Sequence, residues 1–127
     1  MQDRPTAAEL LEALEEFIRD RSSAARDRWE RFQFLVAANS LAILRRETEM
    51  EDDFVHAEWA GLDALMGVEG IPARRADMLV RLSDRNAEFG RRIRAGEFDG
   101  DREPQLLDHL YETVLNKVRI ANPAEAR

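Results

Sequence analysis

Apolar side chains recur at helical spacing along the whole chain, and this periodicity is the feature that most limits the possible fold. Leu10, Leu14 and Phe17 mark one such stripe, and Leu107 and Val114 belong to another. Two stretches, QFLV and KVRIA, alternate briefly like strands, but both lie inside longer helical patterns. The four prolines and four of the six glycines, Gly67, Gly70, Gly96 and Gly100, fall where the patterns start or stop. The sequence therefore predicts an all-α fold, an antiparallel bundle of about five helices joined by short connections.

The five predicted helices follow from caps and helix breakers. Thr6 and Glu9 form a capping box before the first helix. The helices are expected from just after Thr6 to about Asp20, from about Ser23 to about Arg46, from Asp52 or Asp53 to Met66, from about Ala73 to Ala95, and from about Pro104 to Ala121. The fourth is either continuous or broken near Ser83 and Asp84. Gly61, inside the third helix, predicts a close crossing with another helix.

The second predicted helix is apolar on two opposite sides. One side carries Trp29, Phe32, Val36, Ser40 and Ile43, and the other carries Phe34, Ala38 and Leu41. A helix that is apolar on both sides is normally buried between neighbours. We therefore expect this helix to be the central one, covered by the others.

Length and composition set the class of protein. The 127 residues are expected to form a single helical domain, 1–127. The absence of cysteine excludes disulfides, zinc thiolates and a cysteine nucleophile. No apolar run approaches the roughly 20 residues of a membrane span, and the N-terminus does not resemble a signal peptide. A cytoplasmic location is the resulting expectation.

Charge is unevenly distributed along the chain. The net charge of −7 argues against binding to nucleic acid. Seven acidic residues and no Lys or Arg lie between Glu47 and Asp63, whereas seven Arg and three acidic residues lie between Arg74 and Arg94. Four of those arginines, at 74, 81, 85 and 92, have the spacing of one ridge on a continuous helix. The ridge is either a solvated face or a surface for an acidic partner or phosphates.

Two asparagines interrupt apolar stripes, Asn39 in the second helix and Asn86 in the fourth. A buried amide without a partner costs about 1–3 kcal/mol, so each is expected to be buried and hydrogen-bonded. The amides then either fix the packing of the helices, through bonds to each other or to the backbone, or line a polar pocket. The first interpretation is favoured, because polar residues that specify packing are more common than pockets.

No catalytic, metal or cofactor site is expected from the motifs. His56 and His109 have no metal-binding neighbours at helical spacing, and no Glu-x-x-His occurs. The stretch DGDRE has Pro104 and Leu110 where a calcium loop needs Gly and Glu, so it indicates a helix-capping turn. Phosphate-binding and nucleophile motifs are also missing.

Four stretches taken together resemble a small all-helical bacterial family. They are PTAAELLEALEEFI, VAANSLAILRRE, NAEFGRRIRAGEFD and LLDHLYETVLNKVRIANP, in this order, and they cover most of the chain. The matching positions are Asn39, Arg46, Glu47, Asn86, Arg94, Gly96, Lys117, Asn122 and Pro123. Leu35 departs from the family, which often has a basic residue at this place.

The resemblance implies a partner rather than a catalyst. Members of the family are encoded beside aminoglycoside-phosphotransferase-like kinases and acyl-CoA dehydrogenase-like enzymes. In the best understood setting of the family, such a protein is the small partner of a kinase that phosphorylates 4-hydroxyacyl-CoA, and the dehydrogenase-like enzyme then removes the phosphate. The family has no assigned catalytic residue, so none is transferred here.

Three functions follow from these observations. The favoured hypothesis is a non-catalytic accessory subunit of such a kinase. The alternative is a stand-alone binding module for an acyl-CoA or a similar anionic amphiphile, and the third is an enzyme that uses Lys117 and Glu47. Candidate interface or ligand contacts are Arg46, Glu47, Arg92, Arg94, Lys117 and Asn122. The sequence leaves the homo-oligomeric state open.

Overall fold

The protein is all-helical in the computed structural model, which describes residues 3–126. Its four α-helices are α1 (Ala7–Ser22), α2 (Arg28–Met66), α3 (Arg75–Arg94) and α4 (Glu103–Ala121). Short 3-10 turns occupy Gly100–Arg102 and Pro123–Glu125, and no strand occurs between Asp3 and Ala126. The predicted helical class is confirmed, but the predicted number of helices is one too high.

The second and third predicted helices are one helix of 39 residues, α2. The predicted break lay in the acidic stretch between Arg46 and Asp53, where an aspartate was assigned as a cap. That stretch contains neither glycine nor proline, and its Glu and Met residues are good helix formers. The helix therefore continues through it. A single helix of this length spans about 58 Å.

The start of α2 also differs from the prediction, because the helix begins at Arg28 rather than near Ser23. Asp27 acts as its cap, since its Oδ1 accepts a hydrogen bond from the Glu30 backbone N–H at 2.8 Å. The Glu30 carboxylate in turn accepts from the Arg26 backbone N–H at 2.7 Å. This backbone bond, together with the Arg26 guanidinium, lowers the pKa of Glu30 below its ordinary value. At α1, the Glu9 backbone N–H donates to the Thr6 hydroxyl at 3.2 Å, as the capping box predicts.

Contacts within the chain group it into two compact units. The first contains the described residues up to Asp52 and those from Val118 onward. Here the Arg45 guanidinium lies 3.4 Å from the Glu15 carboxylate and links α2 to α1. Arg46 Nε donates to the Ile120 carbonyl at 2.6 Å and links α2 to the end of α4. Ala38 and Ala42 are the buried apolar side chains of this unit within the described chain.

The second unit, Asp53–Lys117, has a larger core built from α2, α3 and α4. Its buried apolar residues are Val55, Trp59, Leu62, Leu65, Met78, Leu82, Phe89, Phe98 and Leu106. Phe98 and Phe89 meet edge to face, with ring centroids 5.5 Å apart. Gly96 has a φ of +79°, a conformation that favours glycine, and it ends α3 so that Phe98 can enter this core.

The close crossing predicted at Gly61 is present in the second unit. A Cβ atom at this position would overlap Nδ1 of His109 and lie 2.5 Å from its Cε1. The imidazole of α4 therefore rests directly on the backbone of α2, which is only accessible because Gly61 has no side chain.

Candidate functional site

Three helices of the second unit meet at a polar cluster around Glu58. The Glu58 side chain of α2 is almost fully buried. Its Oε1 accepts a hydrogen bond from Asn86 Nδ2 of α3 at 3.0 Å. The Lys117 ammonium of α4 lies 3.9 Å from the same oxygen, with 69% of its side chain exposed. A buried carboxylate thus has a neutral partner inside and a cationic partner at the surface, as a buried charge requires.

His109 belongs to the same region and is half-buried. It rests on Gly61, and its ring meets Phe89 edge to face at a centroid distance of 5.5 Å. Burial lowers the pKa of His109 below its ordinary value, and the negative charge of Glu58 opposes this effect only in part. The imidazole is therefore neutral at pH 7.

The stability of the protein is expected to decrease in mild acid because of His109. Its pKa is lower in the folded than in the unfolded chain, so the unfolded chain binds more protons as the pH falls through about 6.5. The free energy of unfolding begins to fall near that pH. It stops falling once the pH is below the pKa of His109 in the folded protein. Urea unfolding followed by circular dichroism at about pH 8 and about pH 5.5 measures it. His109→Gln should lose less stability than the unchanged protein over this interval, and equal losses would contradict the assignment.

A second buried charge, Arg85 of α3, holds the connection between α2 and α3, residues 67–74, in place. Its side chain is 3% exposed, and Nη1 donates to Asp63 Oδ1 at 2.9 Å. Nη2 donates to the Gly67 carbonyl at 3.1 Å, and the guanidinium stacks on Trp59 at 4.7 Å from the ring centroid. Because all these partners lie in or next to the end of α2, Arg85 fixes the path of the chain as it leaves that helix.

The connection is held by Glu69 as well. The Trp59 indole N–H donates to the Glu69 carbonyl at 3.0 Å, and the Glu69 backbone N–H donates to Asp63 Oδ1 at 3.2 Å. Arg81 Nε donates to the Glu69 carboxylate at 2.7 Å, and this bond lowers the pKa of Glu69. The connection is consequently tied to both α2 and α3.

These contacts contradict the predicted arginine ridge on α3. Arg85 is buried, Arg81 pairs with Glu69, and Arg92 pairs with Glu88 at 3.1 Å. A continuous solvent-facing ridge for phosphates is therefore wrong. Arg85 lies three residues after Leu82 and four before Phe89, on the apolar side of the helix. Its position in that stripe was the signal that the sequence analysis missed.

Asn39 is likewise not where it was predicted. Its side chain is exposed on α2, and it has no side-chain hydrogen bond within residues 3–126. The prediction assumed that both apolar sides of this helix are covered. The side with Ala38 and Ala42 is buried, but the side with Asn39 is open to solvent.

The structure distributes the other candidate contacts over the two units. Arg46, half-buried Glu47 and exposed Asn122 belong to the first unit, and Arg46 is occupied by its bond to the Ile120 carbonyl. Arg92, Arg94 and Lys117 belong to the second unit. Arg94 is exposed and has no ionic partner in the part of the chain that the structure describes.

The cluster around Glu58 offers the groups of a small polar site. Lys117 presents a cation to solvent, next to the buried Glu58 carboxylate and its Asn86 amide partner. Asn86 and Lys117 were both singled out from the sequence, whereas Glu58 and His109 were not linked to them. Within residues 3–126, no three His, Asp or Glu side chains converge in a way that could hold a metal ion.

Comparisons with known proteins identify the family of the chain but no similar individual protein. Neither the curated proteins nor the solved structures contain a match. No helix in the described range 3–126 is both long and apolar enough to cross a membrane. One family model matches residues 23–124, which is most of the chain. The chain thus belongs to the family described as Domain of unknown function (DUF6285).

Proposed function

We propose that the protein is a non-catalytic accessory subunit of an aminoglycoside-phosphotransferase-like kinase that acts on 4-hydroxyacyl-CoA. The resemblance described above supplies the identity of the partner. The observation that supports an interaction role is an exposed apolar surface on α4. An accessory subunit needs such a surface, because association buries apolar area on both partners.

This surface, the α4 stripe, consists of Leu107, Leu110, Tyr111 and Val114. Their spacing places them on one side of the helix, and all four are exposed, Tyr111 by 62%. Leu106, about a quarter-turn around the helix from the centre of the stripe, is buried in the core of the second unit. Contiguous exposed apolar side chains on a folded domain are typical of interaction sites, and tyrosine is enriched in them.

Polar groups border the α4 stripe at both ends. Lys117 lies one turn beyond Val114, and a shallow depression lies at the other end. Gly100, Glu103, Pro104, Leu107 and Asp108 line this depression. An apolar centre with a charged border is the usual composition of a protein interface.

Replacing Tyr111 by glutamate is expected to weaken the complex with the kinase by about tenfold or more, since a charge would enter the centre of the interface. The matched control is Val80→Glu, which changes another exposed apolar residue on α3. Sedimentation of the two purified proteins, mixed and alone, measures the complex. Phosphorylation of a 4-hydroxyacyl-CoA is measured with and without this chain.

Equal phosphorylation rates and separate sedimentation would reject the accessory-subunit proposal. Saturable binding of a CoA ester by the isolated protein would then favour the alternative, a stand-alone binding module. Reversal of Arg94 to glutamate tests whether this exposed arginine pairs with an acidic group of the kinase.

A further inference from the structure

The first half of α2 carries a second exposed apolar surface, separate from the α4 stripe. We call Trp29, Phe32, Val36, Asn39 and Ser40 the α2 stripe. Trp29 is 66% exposed, Phe32 56% and Val36 48%, and the two aromatic rings stack at 5.7 Å. Positions 29, 32, 36 and 39 have the alternating spacing of three and four residues along which paired helices pack.

The first unit has little to hold these side chains in place. Its buried apolar residues are Ala38 and Ala42, on the opposite side of α2. Small side chains such as these bury far less area than the exposed Trp29 and Phe32 would, if they were covered. Covering the α2 stripe would therefore bury more apolar area than Ala38 and Ala42 do.

The charge along α2 indicates what covers the stripe. Four Arg and one Glu lie between Arg28 and Arg46, whereas four acidic residues and no basic one lie between Glu47 and Asp52. A second copy of α2 running in the same direction would place like charges side by side. A copy running in the opposite direction places the start of each basic segment, with Arg28 and Arg31, beside the acidic segment of the other.

We propose that the protein forms a homodimer in which the α2 stripes of two copies pair in antiparallel orientation. The two-fold axis passes between positions 39 and 40. With this register Arg28 of one copy lies near Glu49 of the other, on the same flank of the pairing, and Val36 lies beside Ile43.

The same register gives Asn39 a partner. Asn39 of one copy lies beside Ser40 of the other, so the amide and the hydroxyl hydrogen-bond across the axis. A polar pair in the middle of an otherwise apolar helix pairing selects one register over the others, since any shift leaves it unpaired. An exposed amide in the centre of an exposed apolar stripe is explained by this role.

The first test is the mass of the protein in solution, by sedimentation equilibrium. We expect a mass of about twice 14.6 kDa, and Val36→Glu should raise the dissociation constant of the dimer by about tenfold or more. Val80→Glu on α3 is the control and should leave the dimer unchanged. Arg28→Glu should weaken the dimer, and adding Glu49→Arg to it should restore the affinity. Circular dichroism confirms that each variant keeps its helices.

The second test uses the absence of cysteine from the sequence. Ser40→Cys should give a disulfide-linked dimer on oxidation, because the two copies of position 40 meet at the axis. Trp29→Cys should not, because the two copies of position 29 lie about 30 Å apart in the antiparallel register. Cross-linking at both positions would indicate parallel helices and overturn the proposal.

Two further results would overturn it. One is a monomeric protein at all concentrations, and the other is a dimer that Val36→Glu leaves intact. If the protein is monomeric and Val36→Glu instead abolishes binding to the kinase, the α2 stripe serves the kinase. The proposal for the α4 stripe is tested separately by Tyr111→Glu, so failure of one does not decide the other.

Discussion

Replacing Arg85 by methionine is expected to lower the free energy of unfolding by about 3–5 kcal/mol. The guanidinium is buried and pairs with Asp63, the Gly67 carbonyl and the Trp59 ring. Methionine fills a similar volume but donates no hydrogen bond, so Asp63 is left with a charge and without its cationic partner. Urea unfolding followed by circular dichroism measures the loss.

Two controls separate the buried pair from an ordinary surface pair. Arg81→Met removes the partner of Glu69 at a more exposed position and should cost much less. Arg85→Met combined with Asp63→Leu removes both charges and should recover a large part of the loss, because no unpaired charge remains. If Arg85→Met and Arg81→Met lower the free energy of unfolding equally, burial does not make the Arg85 pair more important than the Arg81 pair.

Gly61→Ala is expected to lower the free energy of unfolding by about 1–3 kcal/mol, the range for inserting a group into a packed interior. The new Cβ would overlap Nδ1 of His109 and lie 3.3 Å from its Cγ, so α2 and α4 must separate or the ring must turn. Chemical denaturation of the variant measures the effect.

Gly90→Ala on α3 is the matched control. Its Cβ would meet only the Arg94 guanidinium, at 3.8 Å, and alanine is the better helix former by about 1 kcal/mol. The two substitutions are therefore expected to have opposite signs. His109→Ala removes the ring that the new Cβ would overlap. In the double variant Gly61→Ala with His109→Ala, the loss of stability should therefore be smaller than the sum of the two single losses. A stabilising effect of Gly61→Ala alone would show that the crossing is not tight.

Helix content and some helix ends were predictable because they depend on local chemistry. The hydroxyl of Thr6 and the carboxylate of Glu9 define the start of α1, and Ala121 ends α4 before Asn122 and Pro123. The missing break in α2 was not predictable from the charge of the residues around Asp52. An acidic residue caps a helix only where its own backbone leaves the helical conformation, and the residue type alone does not require this.

The candidate site was less predictable, because residue type is a poor guide to which side of a helix is covered. Arg85 is buried although arginine is usually exposed, and Trp29 is exposed although tryptophan is usually buried. The sequence marks Asn86 as a polar residue in an apolar stripe and Lys117 as a candidate contact. Their common partner Glu58 is separated from Asn86 by 28 residues, so only the packing of three helices brings them together.

The border between the two compact units lies at Asp52 and Asp53, in the middle of α2. A protease that separates the units at this border has to cut through a helix rather than a loop. The cut leaves up to four N–H groups on one fragment and four carbonyls on the other without partners. We therefore expect this border to resist limited proteolysis. If it is cut, the helix should unwind next to the cut in both fragments. Although its contacts divide it in two, the chain cannot be shortened or exchanged at that point as if it were a linker.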